Sequence, residues 1–411
     1  MGSFLPTPRQ LAWQDLEFGM FCHFGVNTFT GREWGDGSED PAIFRPERLD
    51  CGQWARAARR AGMRYAMLTA KHHDGFCLWP TATTEHCVRS SPWRGGRGDV
   101  VRDFVGACRA EGVRPGLYCS PWDRNAACYP DPQAYSAFYL AQLRELCSGY
   151  GPLAEIWFDG AGSEGYRYDW PSIMKVVREL QPEAVVFNMG DPDIRWGCNE
   201  SGYGSPDLWT VVDASRWETV WGEADLTPPG VYMPAEMDTT INRAGWFWHE
   251  GAGDRIKGLD ELLGIYYRSV GHGANLLLNL APNRDGLLEE AEVERAAALG
   301  EAVRRRFGAP LGSAGPGVGA LEVHLPEPVL AARFEAMEDL SQGETVLEWV
   351  LEAQVGHHRH GPAWHRLAEG RALGHKRLGD FAPIAARRFR LWAPRSRGPA
   401  RLRGLRIFGV E

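Results

Sequence analysis

The 411-residue chain contains no apolar run near the ~18 residues that a membrane-crossing helix needs, which excludes such a helix and any membrane partner reached through one. It lacks an excess of positive charge. Its 45 Lys and Arg stand against 53 Asp and Glu, a net charge of −8, which argues against a partner tracked through its phosphates and so against nucleic acid. Nine cysteines, all between Cys22 and Cys198, show no paired spacing of zinc-ribbon or redox type, so free thiols in a reducing compartment are expected. No basic stretch leads into an apolar segment of about 7–15 residues, so no signal peptide is visible. A cytoplasmic location follows, with a secreted or periplasmic one as the alternative for a chain already relieved of its leader. Solenoid repeats and low-complexity tails are also missing, and no glycine-rich nucleotide loop follows the first strand-like run.

What is present is a soluble-type composition, 44% hydrophobic and 24% charged, laid out in two grammars. Through residue 307, short apolar runs at 18–22, 64–70, 114–119, 153–158, 184–188, 231–235 and 274–280 read as buried parallel strands. Helical patterns lie between them at 50–61, 99–111, 132–149, 170–180, 258–270 and 286–306. The clearest is DVVRDFVGACRAE, with Asp99 as N-cap, Val101, Phe104, Val105 and Cys108 on one face, and Gly112 as the stop. Strand-then-helix repeated over some 300 residues predicts a (β/α)8-like barrel over residues 1–308, with an open doubly wound sheet as the rival. The Gly/Pro/Ala stretch 309–320 reads as a linker, and the period-two alternation of 321–411 as a C-terminal antiparallel β-sandwich. Charge divides at the same place: residues 1–310 carry 31 basic and 42 acidic side chains, residues 311–411 carry 14 and 11. The chemistry is expected in the acidic part, and the sandwich is expected to be structural or a modest contributor to ligand binding.

In a parallel barrel the site forms where the strands end, so each strand end is read for what it delivers. FCHFGVNTF gives His23, KHHDGF gives His72 and His73, GLYCSPWD gives Tyr118, and IWFDGA gives Trp157 and Asp159. Histidines, aromatics and a carboxylate converging on one mouth suit a small polyhydroxylated ring, whose apolar face can lie on an indole. Plainer readings stand beside this one. A strand-end histidine is commonly a satisfied core residue, Asp159 can be a helix cap, and HHRH at 357–360 reads as a solvated loop. The adjacent pair His72 and His73 points to opposite faces of a strand and has no third ligand at zinc-like spacing, so neither a metal nor a cofactor is expected. Glycosidic chemistry needs a second carboxylate, and the candidates are Glu200, Glu223 and Glu236. Glu200 sits in a Gly-rich loop with Trp196, Asn199 and Tyr203, whereas Glu236 is expected at a strand end.

Four ordered segments, FGMFCHFGVNTFTGREW, AGMRYAMLTAKHHDGFCLWPT, GLYCSPWD and EIWFDGA, together resemble the retaining α-L-fucosidases of glycoside hydrolase family 29. The resemblance implies that Asp159 is the nucleophile and that His23, Glu33, His72, His73, Tyr118 and Trp157 bind fucose. GREWGDGSEDPAIF, which carries Trp34, the Asn-Glu-Ser-Gly at 199–202 and PAEMDTTINRAGWFWH resemble the subfamily acting on α-1,3/1,4-linked fucose. On that likeness the acid/base is Glu200, 41 residues after Asp159, with Cys198 and Ser201 as departures around the motif. Glu236 is its rival or a sugar contact, and Trp157 or Trp248 is the aromatic wall for the fucose methyl group. The implied reaction removes terminal fucose from oligosaccharides or glycoconjugates by double displacement. An inverting glycosidase, a fucosidase of broader linkage specificity and a catalytically silent glycan-binding protein are the competing readings; the sequence carries no signal for oligomeric state.

Overall fold

The computed structural model of the protein describes residues 4–212, 230–357 and 361–410. Glu223, and residues 358–360 of the HHRH run, lie outside the described residues. Eight parallel strands form the barrel: β1 Phe18–Cys22, β2 Tyr65–Lys71, β3 Arg114–Cys119, β4 Glu155–Trp157, β5 Val185–Phe187, β6 Arg195–Trp196, β7 Ala235–Thr240 and β8 Asn275–Asn279. Hydrogen bonding connects them in the order β5-β4-β3-β2-β1-β8-β7-β6. A parallel bridge between Phe187 and Ile194 brings the two ends together, so the ring is nearly closed and the open-sheet alternative falls.

Helices pack outside the ring where the 3.6-residue periodicity places them: α1 Pro8–Gln14, α2 Val26–Thr30, α3 Cys51–Arg60, α4 Val100–Ala110, α5 Pro132–Gly149, α6 Trp170–Leu180, α7 Leu259–Arg268 and α8 Glu290–Phe307. Asp50, Asp99, Asp131 and Asp169 each accept a backbone N–H at the start of α3, α4, α5 and α6, caps that contribute about 1 kcal/mol apiece.

Two elements differ from the sequence reading. The run 231–235 is not the barrel strand: Val231 and Tyr232 pair antiparallel with Val211 and Val212, and the strand begins at Ala235. Its sequence, AEMDTT, puts carboxyl groups on the inner face, so a search for apolar runs passes over it. Residues 309–320 are not a free linker either. Gly312–Ala314 (β9) and Gly317–Val318 (β10) pair with Arg401–Gly409 (β15) and belong to the second sheet.

That sheet is antiparallel, with Ala320–Glu338 (β11), Val346–His357 (β12), Gly361–Gly370 (β13) and Arg377–Ser396 (β14) as its remaining strands. Pairing runs through all of them in the order β9-β15-β11-β14-β12-β13, with β10 alongside β15. Register shifts at 324/329 and 331/333 of β11 bend the long strands around a core of Val323, Phe334, Leu351, Phe389, Leu391, Leu405 and Ile407. The sheet is fastened to the N-terminal end of β1, where Lys376 pairs with Glu17 at 2.6 Å and Arg403 with Asp15 at 2.9 Å. It also grips the segment after β6: Arg377 donates to the Pro206 carbonyl at 3.0 Å, and the Glu344 carboxyl accepts the N–H groups of Thr210 and Val211 at 3.1 and 3.3 Å.

Inside the ring, the alternation of a strand sorts the side chains. Met20, Leu68, Leu117, Ile156, Met237 and Leu276 face the helices. Phe21, Tyr65, Met67, Tyr118, Trp157, Val185, Phe187 and Leu277 fill the interior, above Trp13 of α1 and Leu16. Gly19 is required here, because a Cβ would lie 2.5 Å from the Tyr65 ring. At the floor sit two carboxyl groups, Glu155 accepting from Trp13 Nε1 at 2.8 Å and Glu236 accepting from Tyr65 Oη at 2.6 Å and Trp157 Nε1 at 2.9 Å. Burial pushes both groups up, and for Glu155 the neighbouring Glu236 charge adds to it.

The folded protein therefore holds a proton here that the unfolded chain releases near pH 4.3, and stability is lost as pH rises from there through the raised folded value. Glu155→Gln keeps an acceptor for Trp13 and removes one titrating group. Between pH 5 and pH 8, urea denaturation should show the wild type losing on the order of 1–3 kcal/mol more than the variant. Equal losses would remove this pair from the stability profile.

Candidate active site

A cavity of about 550 Å³ opens at the C-terminal ends of the barrel strands. Its deep wall continues the barrel's aromatic filling. Trp157 stacks on Phe187 with centroids 3.8 Å apart, and on Tyr118 at 5.3 Å. The inward position two residues beyond Trp157 is Asp159, so the strand that supplies the indole floor also carries a carboxylate to the rim.

Asp159 is 28% exposed and faces the cavity. Its Oδ1 accepts from the Ala161 N–H at 2.9 Å, and its Oδ2 accepts from Tyr118 Oη at 3.1 Å and lies 3.5 Å from His73 Nε2. Burial alone would raise this carboxyl, but the donors His73, Ala161 and Tyr118 outweigh it and hold the group below its ordinary value. His73 itself lies behind the cavity wall, with Nδ1 2.8 Å from Ser120 Oγ, and acts on the site through Asp159.

His23 is set by Asn279. The Asn279 amide N–H donates to the Trp246 carbonyl at 2.8 Å, which turns its Oδ1 toward His23 Nδ1, also at 2.8 Å. Nδ1 therefore carries the proton and Nε2 is left as an acceptor. Burial pushes this imidazole down to about 4, and His72 falls well below its usual value through burial and the adjacent His73 and His23. His72 lies parallel to the Tyr118 ring, and its Nδ1 has no partner among the described residues. Two neutral imidazoles thus line the pocket with hydrogen-bonding capacity to offer a hydroxylated ligand.

Glu33 and Trp34, from the loop after α2, reach the same cavity. Glu33 accepts the Trp246 N–H at 2.7 Å and lies 2.6 Å from His249 Nε2. Gly245 permits this approach, since a Cβ there would fall 2.2 Å from Glu33 Oε1. Trp34 is 47% exposed, and its ring stands 5.2 Å from His73.

Glu200 is exposed on the cavity rim. Its loop turns at Cys198, which has a left-handed φ of 64°, and is closed by Asn199, whose amide donates to the carbonyls of Gly197 and Tyr203, both at 3.1 Å. The asparagine before the glutamate thus has a structural task as a loop clasp.

With His73, two more of the expected binding residues do not line the cavity. Glu236 has no exposure and lies at the start of β7, the floor end of the barrel, where it holds the Trp157 indole; it does not line the cavity. Trp248 points away and donates to Glu289 at 2.9 Å, and the indole facing the pocket is Trp246, 5.0 Å from the His23 ring. The sequence reading also missed Asp238. Two residues on from Glu236 and on the same face of β7, it reaches the cavity and accepts from Trp196 Nε1 at 2.7 Å. Burial raises its carboxyl well above the usual range despite the Trp196 bond, and Glu200 and Glu236 add to the effect. Period-two alternation through AEMDTT is the signal that finds it. Among the described residues no group of three His, Cys, Asp or Glu side chains is placed to hold a metal ion.

Carboxyl groups in such contrasting surroundings, opening on one pocket at the strand ends of a parallel barrel, make the kind of site that a glycoside hydrolase uses. The chain belongs to the alpha-L-fucosidase family, whose model, described as Alpha-L-fucosidase, matches residues 6–306. Alpha-L-fucosidase 1 of Arabidopsis thaliana is 42% identical over 298 residues, which cover 71% of this chain and 58% of that protein. The chain spans a little under three fifths of the length of the curated plant relatives it matches. Among solved structures, a glycoside hydrolase 29 family member from an unknown rumen bacterium is 35% identical with a TM-score of 0.89, over 100% of this chain and 78% of that one. A Ruminococcus gnavus GH29 fucosidase in complex with fucose is 25% identical with a TM-score of 0.87, over 100% and 96%.

The arrangement around His23 is testable without substrate. In nitrogen NMR of the histidine-labelled protein, the His23 ring should remain neutral with the proton on Nδ1 from pH 8 to pH 5. An imidazolium signal for this residue at pH 6 would overturn the assignment.

Proposed function

We propose that the protein is a retaining exo-α-L-fucosidase, with Asp159 as nucleophile and Glu200 as acid/base. The observation that carries this is Asp159: a carboxylate held ionised by three donors, yet open to a pocket whose deep wall is aromatic and whose histidines are neutral. Its lone pairs attack the anomeric carbon while Glu200 protonates the departing oxygen. Glu200 then takes the proton from a water that releases fucose from Asp159, and two inversions give net retention. Neutral His23 and His72 bond the hydroxyls without placing a cation beside the developing oxocarbenium charge. Phe21, Trp157 and Trp246 offer apolar surface to the C6 methyl group. The likeness of the GREWGDG and Asn-Glu-Ser-Gly segments to the branched-glycan subfamily supports α-1,3/1,4-linked fucose as the substrate. The nine free thiols support a reducing compartment.

The two carboxyl roles give opposite azide products. Asp159→Gly should lose several orders of magnitude in kcat, and azide should yield a fucosyl azide of inverted anomeric configuration. Glu200→Ala should lose ~10²–10⁴-fold on oligosaccharides and much less on an activated aryl fucoside, with azide restoring turnover to a product of retained configuration. Retained product from the Asp159 variant, or azide rescue absent from both, would overturn the assignment.

Linkage is read from a panel. Release from α-1,3/1,4-fucosylated, Lewis-type oligosaccharides should exceed release from an α-1,2-linked fucosyl trisaccharide by at least tenfold. The reverse order would overturn the subfamily reading, and no release from any fucoside would leave a glycan-binding protein.

A further inference from the structure

The chemistry above leaves one carboxyl group of the cavity without a task. Asp238 lies two residues beyond Glu236 on the inner face of β7, so in depth it stands between the fully buried Glu236 and the exposed Glu200 at the rim. It is only 4% exposed, as enclosed as Trp157, His23 and His72. A sugar that touches Asp238 is therefore the one seated against the deep wall.

The two oxygens of this group are used differently. Oδ1 accepts the Trp196 indole N–H at 2.7 Å, which restrains the side chain. Oδ2 makes no hydrogen bond among the described residues and is not sealed from solvent, so its open side is the cavity. A polar atom so enclosed is costly to strip of water without a partner, and a bound ligand that pairs with it removes that cost.

What Oδ2 can offer follows from the charges that face it. Glu200, from the loop after β6, and Glu236, on its own strand, are both acidic. Among the described residues no lysine or arginine lines the cavity, and the imidazoles of His23 and His72 are pushed toward their neutral forms. Burial, with the two acidic neighbours, raises the Asp238 carboxyl well above its ordinary value despite the Trp196 bond. This favours the protonated group, whose O–H is a donor. His23 Nε2 and the carboxyl oxygens of Glu33 and Asp159 are acceptors for hydroxyl protons, so a donor set among them supplies the complementary half of the pattern.

We infer that Asp238 is a further sugar-binding residue of this site: held by Trp196 through Oδ1, it donates a hydrogen bond from Oδ2 to an oxygen of the fucosyl ring. This deepens the α-L-fucosidase reading and rests on it. Because the contact is to the fucosyl unit, it serves every fucoside alike, whatever sugar or atom is attached to it.

Infrared spectra and kinetics test this together. At pH 7 the wild type should show a carboxylic-acid C=O band that Asp238→Asn removes and that shifts when L-fucose is added. Asp238→Leu, which keeps the volume and removes the donor, should lower kcat/KM at least tenfold for α-L-fucosyl fluoride and for a fucosylated oligosaccharide alike, and weaken L-fucose binding by a similar factor. Asp238→Asn, which keeps an acceptor for Trp196 and an N–H for the sugar, should recover most of that loss. An acid band that is absent, a band that L-fucose does not move, or an Asn variant as poor as the Leu variant would overturn the inference. So would Asp238→Asn failing on the oligosaccharide alone, with azide restoring turnover to a product of retained configuration, since Asp238 would then be the acid/base. The spectra decide the matter if Asp238→Leu is not recovered folded. A wild type that neither hydrolyses the fluoride nor binds L-fucose would instead sink the fucosidase reading.

Discussion

The indole N–H of Trp157 donates to Glu236, a carboxyl group with no access to water, and this bond orients the floor of the pocket. An unpaired acceptor at that depth would cost several kcal/mol, so the bond restricts the indole to one orientation. From that orientation follow the stacking of Phe187 on one side, the packing of Tyr118 on the other, and the line of the Tyr118 hydroxyl toward Asp159. Glu155, Trp157 and Asp159 are successive inward positions of one short strand and its continuation. A shift of one residue in its register would exchange all three with Ile156 and Phe158.

Environment, more than residue type, decides what each acidic group can do. Asp159 has three donors and is held below its ordinary value; Asp238 is pushed well above its own by burial and by its acidic neighbours Glu200 and Glu236; Asp74, buried beside Glu39, is pushed up to about 7. The histidines follow the same rule with the opposite sign, since burial favours the uncharged ring. The exposed carboxylate Glu200 thereby stands at the rim of the cavity, and its deep wall is aromatic.

The sequence conveyed the barrel and the strand that leads to Asp159 well, because both depend on local regularities. Apolar runs at 18–22, 114–119 and 184–188 fall on β1, β3 and β5, and the Asp99 cap opens α4 where expected. The strand-end positions of His23, His72 and Asp159 need only the direction of a parallel strand. Errors arose where the determinant is not local. Glu236 and Asp238 share a face, and which one reaches the mouth depends on where β7 begins relative to β8, a register set by hydrogen bonds to Asn275–Asn279. Trp246 and Trp248 lie in an irregular loop with no period to separate them; Glu33, over two hundred residues away, selects Trp246 by accepting its N–H. Residues 309–320 look like a linker by composition, yet Gly312 and Gly317 pair with β15 from the far end of the chain.

The grip of the C-terminal sheet on residues 206–211 bears on how such a protein can be taken apart or recombined. Glu344 and Arg377 hold the downstream end of the stretch that begins with the Glu200 loop, while Lys376, next to Arg377 in the chain, and Arg403 hold Glu17 and Asp15 just before β1. The appended sheet thus ties two separate segments of the barrel together at the N-terminal ends of its strands, and a border drawn at residue 308 separates the loop from its anchorage. Grafting a foreign sheet at that border would carry Asp159 over intact and leave the Glu200 loop without a fixed base, so evolutionary exchange at this position has to preserve the clasp as well as the fold.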